Sequence, residues 1–147
     1  PRAAEGALLE MLMTGMGWVG YFAPRVEFVF VDAIHPCEKR SHLYAALDAR
    51  GMYCPNGCRD YGMLEVYSPE EADKDGDKVA ESVAHVESLL EADPLGFDGI
   101  GGICDGALIA SIVASRLPPD SQVSFLLNMA GMPWEFAPPS LFPMEHI

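Results

Sequence analysis

The chain has 147 residues, half of them hydrophobic and 21% charged, with a net charge of −13. That length fits one domain able to bury a real core, and the composition is globular rather than disordered. Nine basic residues against 22 acidic ones, spread without a Lys/Arg cluster, exclude nucleic acid and anionic membrane surfaces as natural partners.

From the start, Ala3 to Met13 places Ala4, Ala7, Leu8, Met11 and Leu12 at helical spacing, and Gly15, Gly17 and Gly20 break the pattern. The apolar stretch Met11 to Ala23 contains those three glycines and Thr14, so it is neither a membrane span nor a signal-peptide core. Four cysteines without a secretion signal point to a reducing, cytoplasmic setting.

Val26-Glu27-Phe28-Val29-Phe30-Val31-Asp32 is β-branched, aromatic and nearly continuous in apolarity, which suits a strand buried on both faces of a parallel sheet. His35 follows it, at the strand edge where α/β folds place their ligands. Residues 33–75 lack a clear period and read as a long, lid-like insertion, with a short helix expected over His42 to Arg50. Within that insertion Cys54 and Cys58 have a permissible C-x3-C spacing, but a second tight ligand pair is missing. No metal site is therefore expected there, and Cys37, Cys54 and Cys58 read as loop thiols. His42 and His85 read as solvated surface residues, and the methionines as core filler.

Asp77 begins a helix running to about Ala92, with Val79, Val83, Val86 and Leu90 along one stripe. Pro94 and Gly96 end it. The acidity concentrated from Glu65 to Asp93 is a solvated helix face with its approach loop. Phe97 to Ile103 is the next strand, and Asp105 to about Arg116 a helix apolar nearly all round, stopped by Pro118-Pro119. Val123 to Ala130 is a further strand, and Ser140 to Phe142 is expected to open another. Alternating strands and helices imply right-handed crossovers, hence a three-layer α/β/α architecture with a mostly parallel sheet.

The informative junction lies between that strand and helix. Gly102-Ile103-Cys104-Asp105-Gly106 has the layout of a nucleophile elbow, G-x-S-x-G, with sulfur in place of the hydroxyl. Glycines two residues either side of the nucleophile remove Cβ atoms that would collide in the sharp turn. The Asp105 backbone N–H is then available to a developing oxyanion, and the helix N-terminus favours the thiolate form of Cys104.

Several segments resemble the FSH-type serine hydrolases, a branch of the α/β-hydrolases. Residues Val26 to Pro36 look like that family's E-F-V-F-[LV]-D-A-P-H, and Phe97 to Ala107 like its F-D-G-[IV]-x-G-F-S-Q-G-A. Phe125 to Gly131 resembles the following strand with its S-G turn, and Pro139-Ser140-Leu141 the P-[ST]-L beyond it. The likeness is collinear from about Leu8 to Leu141 and implies a partial α/β-hydrolase fold. It implies an esterase or thioesterase acting on a small-molecule ester or acyl substrate, without a cofactor. Cys104 stands where the family has serine, and Asp105 where it has glutamine. The family's first strand, with its L-H-G segment, would lie before Pro1, and its acid and histidine beyond Ile147. Residues 1–147 are therefore expected to be a single domain cut from the middle of a longer one.

Trp134 and Phe136 emerge after the strand at Phe125, and Trp134 with His35 is expected to contact substrate. His146 is not the expected base, since the matching histidine should follow a further strand. Two alternatives remain from the residues alone. The elbow also resembles the G-I-C-x-G of class I glutamine amidotransferases, which carry H-x-E downstream, whereas this chain has Glu145-His146 in the reverse order. The substituted nucleophile position also suits a non-catalytic, degenerate α/β-hydrolase domain acting as a binding or interaction module. Nothing in the pattern fixes an oligomeric state.

Overall fold

The computed structural model describes residues 4–36, 59–61, 76–131 and 138–141. It divides into two compact units, Pro1–Asp60 and Tyr61–Ile147. The expected helix at His42 to Arg50, most of the 33–75 insertion, Cys37, Cys54, Cys58, Trp134, Phe136 and His146 lie outside the described residues.

In the first unit α1 spans Ala4–Gly15 and α2 spans Trp18–Phe22. Gly17 joins them at φ 78, a left-handed conformation that favours glycine. Met13 is buried, whereas Met11 and Leu12 face solvent within the structure. Val26 to Asp32 is a correction: it lies in no strand, and Val26 and Val29 are exposed. The side-chain alternation of an extended chain survives, because Phe28 and Phe30 stack with ring centroids 6.0 Å apart. What the segment lacks is strand pairing, and strand character depends on a partner that no local sequence supplies. The pairing in this unit falls just downstream, where β1 (His35–Pro36) runs antiparallel to β2 (Arg59–Asp60). The Arg59 guanidinium reinforces it by donating to the Ile34 carbonyl at 2.9 Å.

The second unit contains the α/β layering. α3 spans Gly76–Ala92, and Val79, Val83 and Val86 of the expected stripe are buried. It ends in a turn where Asp93 accepts hydrogen bonds from Leu95 N through its carboxylate and from Gly96 N through its carbonyl. Gly96 adopts φ 69 there. β3 (Gly99–Ile103) lies parallel to β4 (Phe125–Met129), with Gly99 opposite Phe125 and Ile103 opposite Met129. Parallel pairing needs a crossover, and α4 (Asp105–Arg116) provides it. The chain is thus mixed α/β with a parallel sheet, consistent with part of an α/β-hydrolase fold.

α4 is the centre of this core. Ala107, Leu108, Ile109, Ala110, Ile112 and Val113 are all nearly inaccessible, packed between α3 and the sheet. Burying each of the larger side chains contributes about 1.5–3 kcal/mol, and among the described residues this helix buries six apolar side chains against three from α3. It stops at Leu117, whose extended backbone (φ −65, ψ 142) is the conformation a following proline imposes. On the sheet face away from α4, Phe125 and Leu127 are exposed at 58% and 42%.

A second correction concerns the strand expected to open over Ser140 to Phe142: Phe142 lies outside the described residues, and Pro139–Leu141 is not a strand. It forms a single 3-10 turn, closed by Leu141 N donating to the Pro138 carbonyl at 2.9 Å. Pro139 has no N–H to give a ladder, which suits the start of a turn. No helix among the described residues is long and apolar enough to cross a membrane.

Candidate active site

The junction of β3 and α4 is a one-residue turn. Cys104 sits at its apex with φ 51 and ψ −120, outside the regions that L-residues ordinarily occupy. Holding a side-chain-bearing residue there costs about 1–3 kcal/mol, and such strain persists only where surrounding contacts enforce it. Those contacts are present. The Cys104 N–H donates to the Met129 carbonyl at 3.2 Å, extending the β3–β4 ladder by one residue. The Cys104 carbonyl accepts from Ala107 N at 3.0 Å and Leu108 N at 3.3 Å, opening α4. The same residue therefore ends the strand and starts the helix. Its thiol makes no capping hydrogen bond and is exposed as a free cysteine at the carboxyl end of the sheet.

The flanking glycines differ in their reasons. A Cβ on Gly102 would stand 2.2 Å from the carbonyl carbon and oxygen of Gly106 and 2.5 Å from Ala107 N. Those are backbone atoms that no rotamer change can move. A Cβ on Gly106 would meet only the Tyr61 ring, at an ordinary 3.5 Å. The close approach is one-sided: the helix backbone at Gly106 occupies the space a Gly102 side chain would need.

Asp105 is the first residue of α4 and half-buried, so Gly102, Cys104, Asp105 and Gly106 share one turn. A thiol so presented, at the amino end of a 12-residue helix, stands where negative charge is favoured. His35 lies in the other unit, on β1 opposite Asp60, half-buried. Trp134 falls outside the described residues. Among the described residues no group of three His, Cys, Asp or Glu side chains could hold a metal ion.

Two neighbours of the turn were not singled out from the sequence. Tyr61 lays its ring against Gly106, and its carbonyl accepts from the buried Ser82 hydroxyl of α3 at 3.0 Å. Nothing local to Tyr61 in the sequence signals this placement. Asn128 projects toward α4, donating from Nδ2 to Ser111 Oγ at 3.1 Å. Here a signal existed: Asn128 is the one amide in the apolar run Phe125 to Ala130.

A family model described as serine hydrolase (FSH1) matches residues 6–136. No curated protein and no solved structure matches the chain.

Proposed function

For a chain that belongs to the serine hydrolase (FSH1) family, we propose hydrolysis of a carboxylic ester or thioester with Cys104 as nucleophile. One observation carries the assignment to that residue. An exposed thiol is held at positive φ between a parallel strand and a helix N-terminus, with Gly102 packed against the helix backbone. That is the turn by which a nucleophile is lifted clear of a sheet.

In the proposed reaction a general base takes the Cys104 proton, and Sγ bonds to the substrate carbonyl carbon. The carbonyl π electrons move onto oxygen, where the Asp105 backbone N–H donates to the oxyanion. Collapse of the tetrahedral species expels the alcohol or thiol, protonated by the conjugate acid of the base, and leaves a thioester on Cys104. Water, deprotonated by the same base, then attacks that thioester. The carboxylic acid leaves and the thiol is restored. The thioester formed on sulfur remains an acyl donor that water can attack.

The family match supports this reading over an amidotransferase. The test is hydrolysis of short p-nitrophenyl esters and acyl thioesters, together with alkylation of each cysteine resolved by peptide mass spectrometry. Turnover should vanish in Cys104→Ala, and Cys104 should alkylate faster than Cys54. If Cys104→Ala hydrolyses as well as the parent, or Cys104 reacts no faster than Cys54, the nucleophile assignment fails. A binding module built on the same fold would then be the better account.

A further inference from the structure

The strained conformation at Cys104 needs something to hold it, and the hydrogen bonds around it form a closed circuit. The Cys104 carbonyl accepts from Ala107 N at 3.0 Å. The Ala107 carbonyl accepts from Ser111 Oγ at 2.8 Å, and Ser111 Oγ accepts from Asn128 Nδ2 at 3.1 Å. Asn128 directly precedes Met129, whose carbonyl accepts from Cys104 N at 3.2 Å. The circuit therefore begins and ends on the candidate nucleophile. Its only side-chain members are Asn128 and Ser111.

Asn128 does a second thing. Its Oδ1 accepts from Gly131 N at 3.1 Å, so one amide ties both flanks of Met129. Between them Ala130 takes φ 48, a second positive value on a residue with a Cβ. Gly131 is packed so closely that a Cβ there would stand 2.4 Å from Asn128 Oδ1 and 3.0 Å from the Ala107 Cβ. The exit turn of β4 is thereby pinned to the first turns of α4, and the Met129 carbonyl is fixed between two anchored neighbours.

We propose that Asn128, with Ser111, is a positioning residue for Cys104: it holds the Met129 carbonyl that keeps the thiol-bearing turn at positive φ. The inference rests on Cys104 being the nucleophile, but the clamp itself can be observed without any turnover. Removing the amide leaves Cys104 free to relax toward negative φ, which withdraws the sulfur from its raised position.

The experiment compares the parent with Asn128→Leu, Ser111→Ala and Ser111→Thr, the last keeping a hydroxyl able to reach the Ala107 carbonyl. Amide hydrogen exchange is read at Cys104 and, as internal controls, at Ile112 and Val113 in the buried middle of α4. Site-resolved alkylation of Cys104 by iodoacetamide is read in parallel. Loss of one hydrogen bond corresponds to about a fivefold change in a local opening equilibrium. Cys104 exchange should therefore rise about fivefold or more in Asn128→Leu and Ser111→Ala, with Ile112 and Val113 unchanged and Ser111→Thr close to the parent. Alkylation of Cys104 should fall in the same two variants and recover in Ser111→Thr. Unchanged Cys104 exchange in Asn128→Leu overturns the clamp, as does a rise shared equally by Ile112 and Val113. Faster exchange with unaltered alkylation overturns the link from clamp to thiol. A failed hydrolase reading shows itself separately, in undiminished turnover by Cys104→Ala.

Discussion

Replacing Gly102 by alanine adds one carbon where the structure has no room. The new Cβ would stand 2.2 Å from the Gly106 carbonyl atoms, about 1.3 Å short of the ~3.5 Å at which carbon atoms rest comfortably. Relief requires β3 and the first turn of α4 to separate. β3 is held in its ladder with β4, and α4 is anchored by Ile109 and Ile112 in the core. Overpacking of this kind typically costs ~1–3 kcal/mol, and a clash with backbone places Gly102→Ala at about 3 kcal/mol. For a chain of this size that is a fall of roughly 10 °C in melting temperature. Two controls separate this cause from a general intolerance of alanine. Gly106→Ala meets only the Tyr61 ring at 3.5 Å and should lie within about 0.5 kcal/mol of the parent. Gly99→Ala carries the same nominal 2.2 Å, but against the ring of Phe125, which is 58% exposed and can swing aside. It should cost less than about 1 kcal/mol. Urea denaturation of the three variants, with Cys104 alkylation as a local probe, decides the matter. A Gly102→Ala protein as stable as the parent, or a Gly106→Ala protein equally damaged, would refute the one-sided contact.

Cys104→Gly should melt higher than Cys104→Ala by about 1 kcal/mol, because glycine relieves the positive φ while alanine retains it; equal melting would mean the turn is not strained. Ile112→Ala removes a fully buried side chain between α3 and the sheet and should cost about 2–5 kcal/mol by urea denaturation. Arg116→Ala breaks the 2.7 Å contact of Nε with Glu87 that links α4 to α3, but both side chains are partly exposed. Its cost should stay below about 1 kcal/mol and shrink further in high salt, measured by melting at two ionic strengths.

The parts of this protein that could be read from its sequence are those whose cause is local. The helix Asp105 to Arg116 is delimited by the glycine-flanked turn at Cys104 before it and Pro118-Pro119 after it, and the structure places its ends at those residues. The stripe of Val79, Val83 and Val86 is a period of one helix and faces the core as that period requires. The turn at Cys104 was legible for the same reason, since Gly102 and Gly106 lie within two residues of it. Tyr61 was not, because its meaning lies in a contact with Gly106 far away along the chain, and Asn128 stood out only as an amide in an apolar run, with its partner Ser111 supplied by the fold.

Sequence by itself determined the ends of α3 and α4, the family and the cysteine set between Gly102 and Gly106. Tertiary structure decided that Val26 to Asp32, five of whose seven residues are apolar, is not a strand, and that Pro139 opens a turn. It also decided that Cys104 stands at positive φ within a ring of hydrogen bonds closed by Asn128. The physical reason is common to all three. Propensity and spacing act through neighbours along the chain, whereas pairing, clash and hydrogen-bond closure are set by partners that only folding brings within reach.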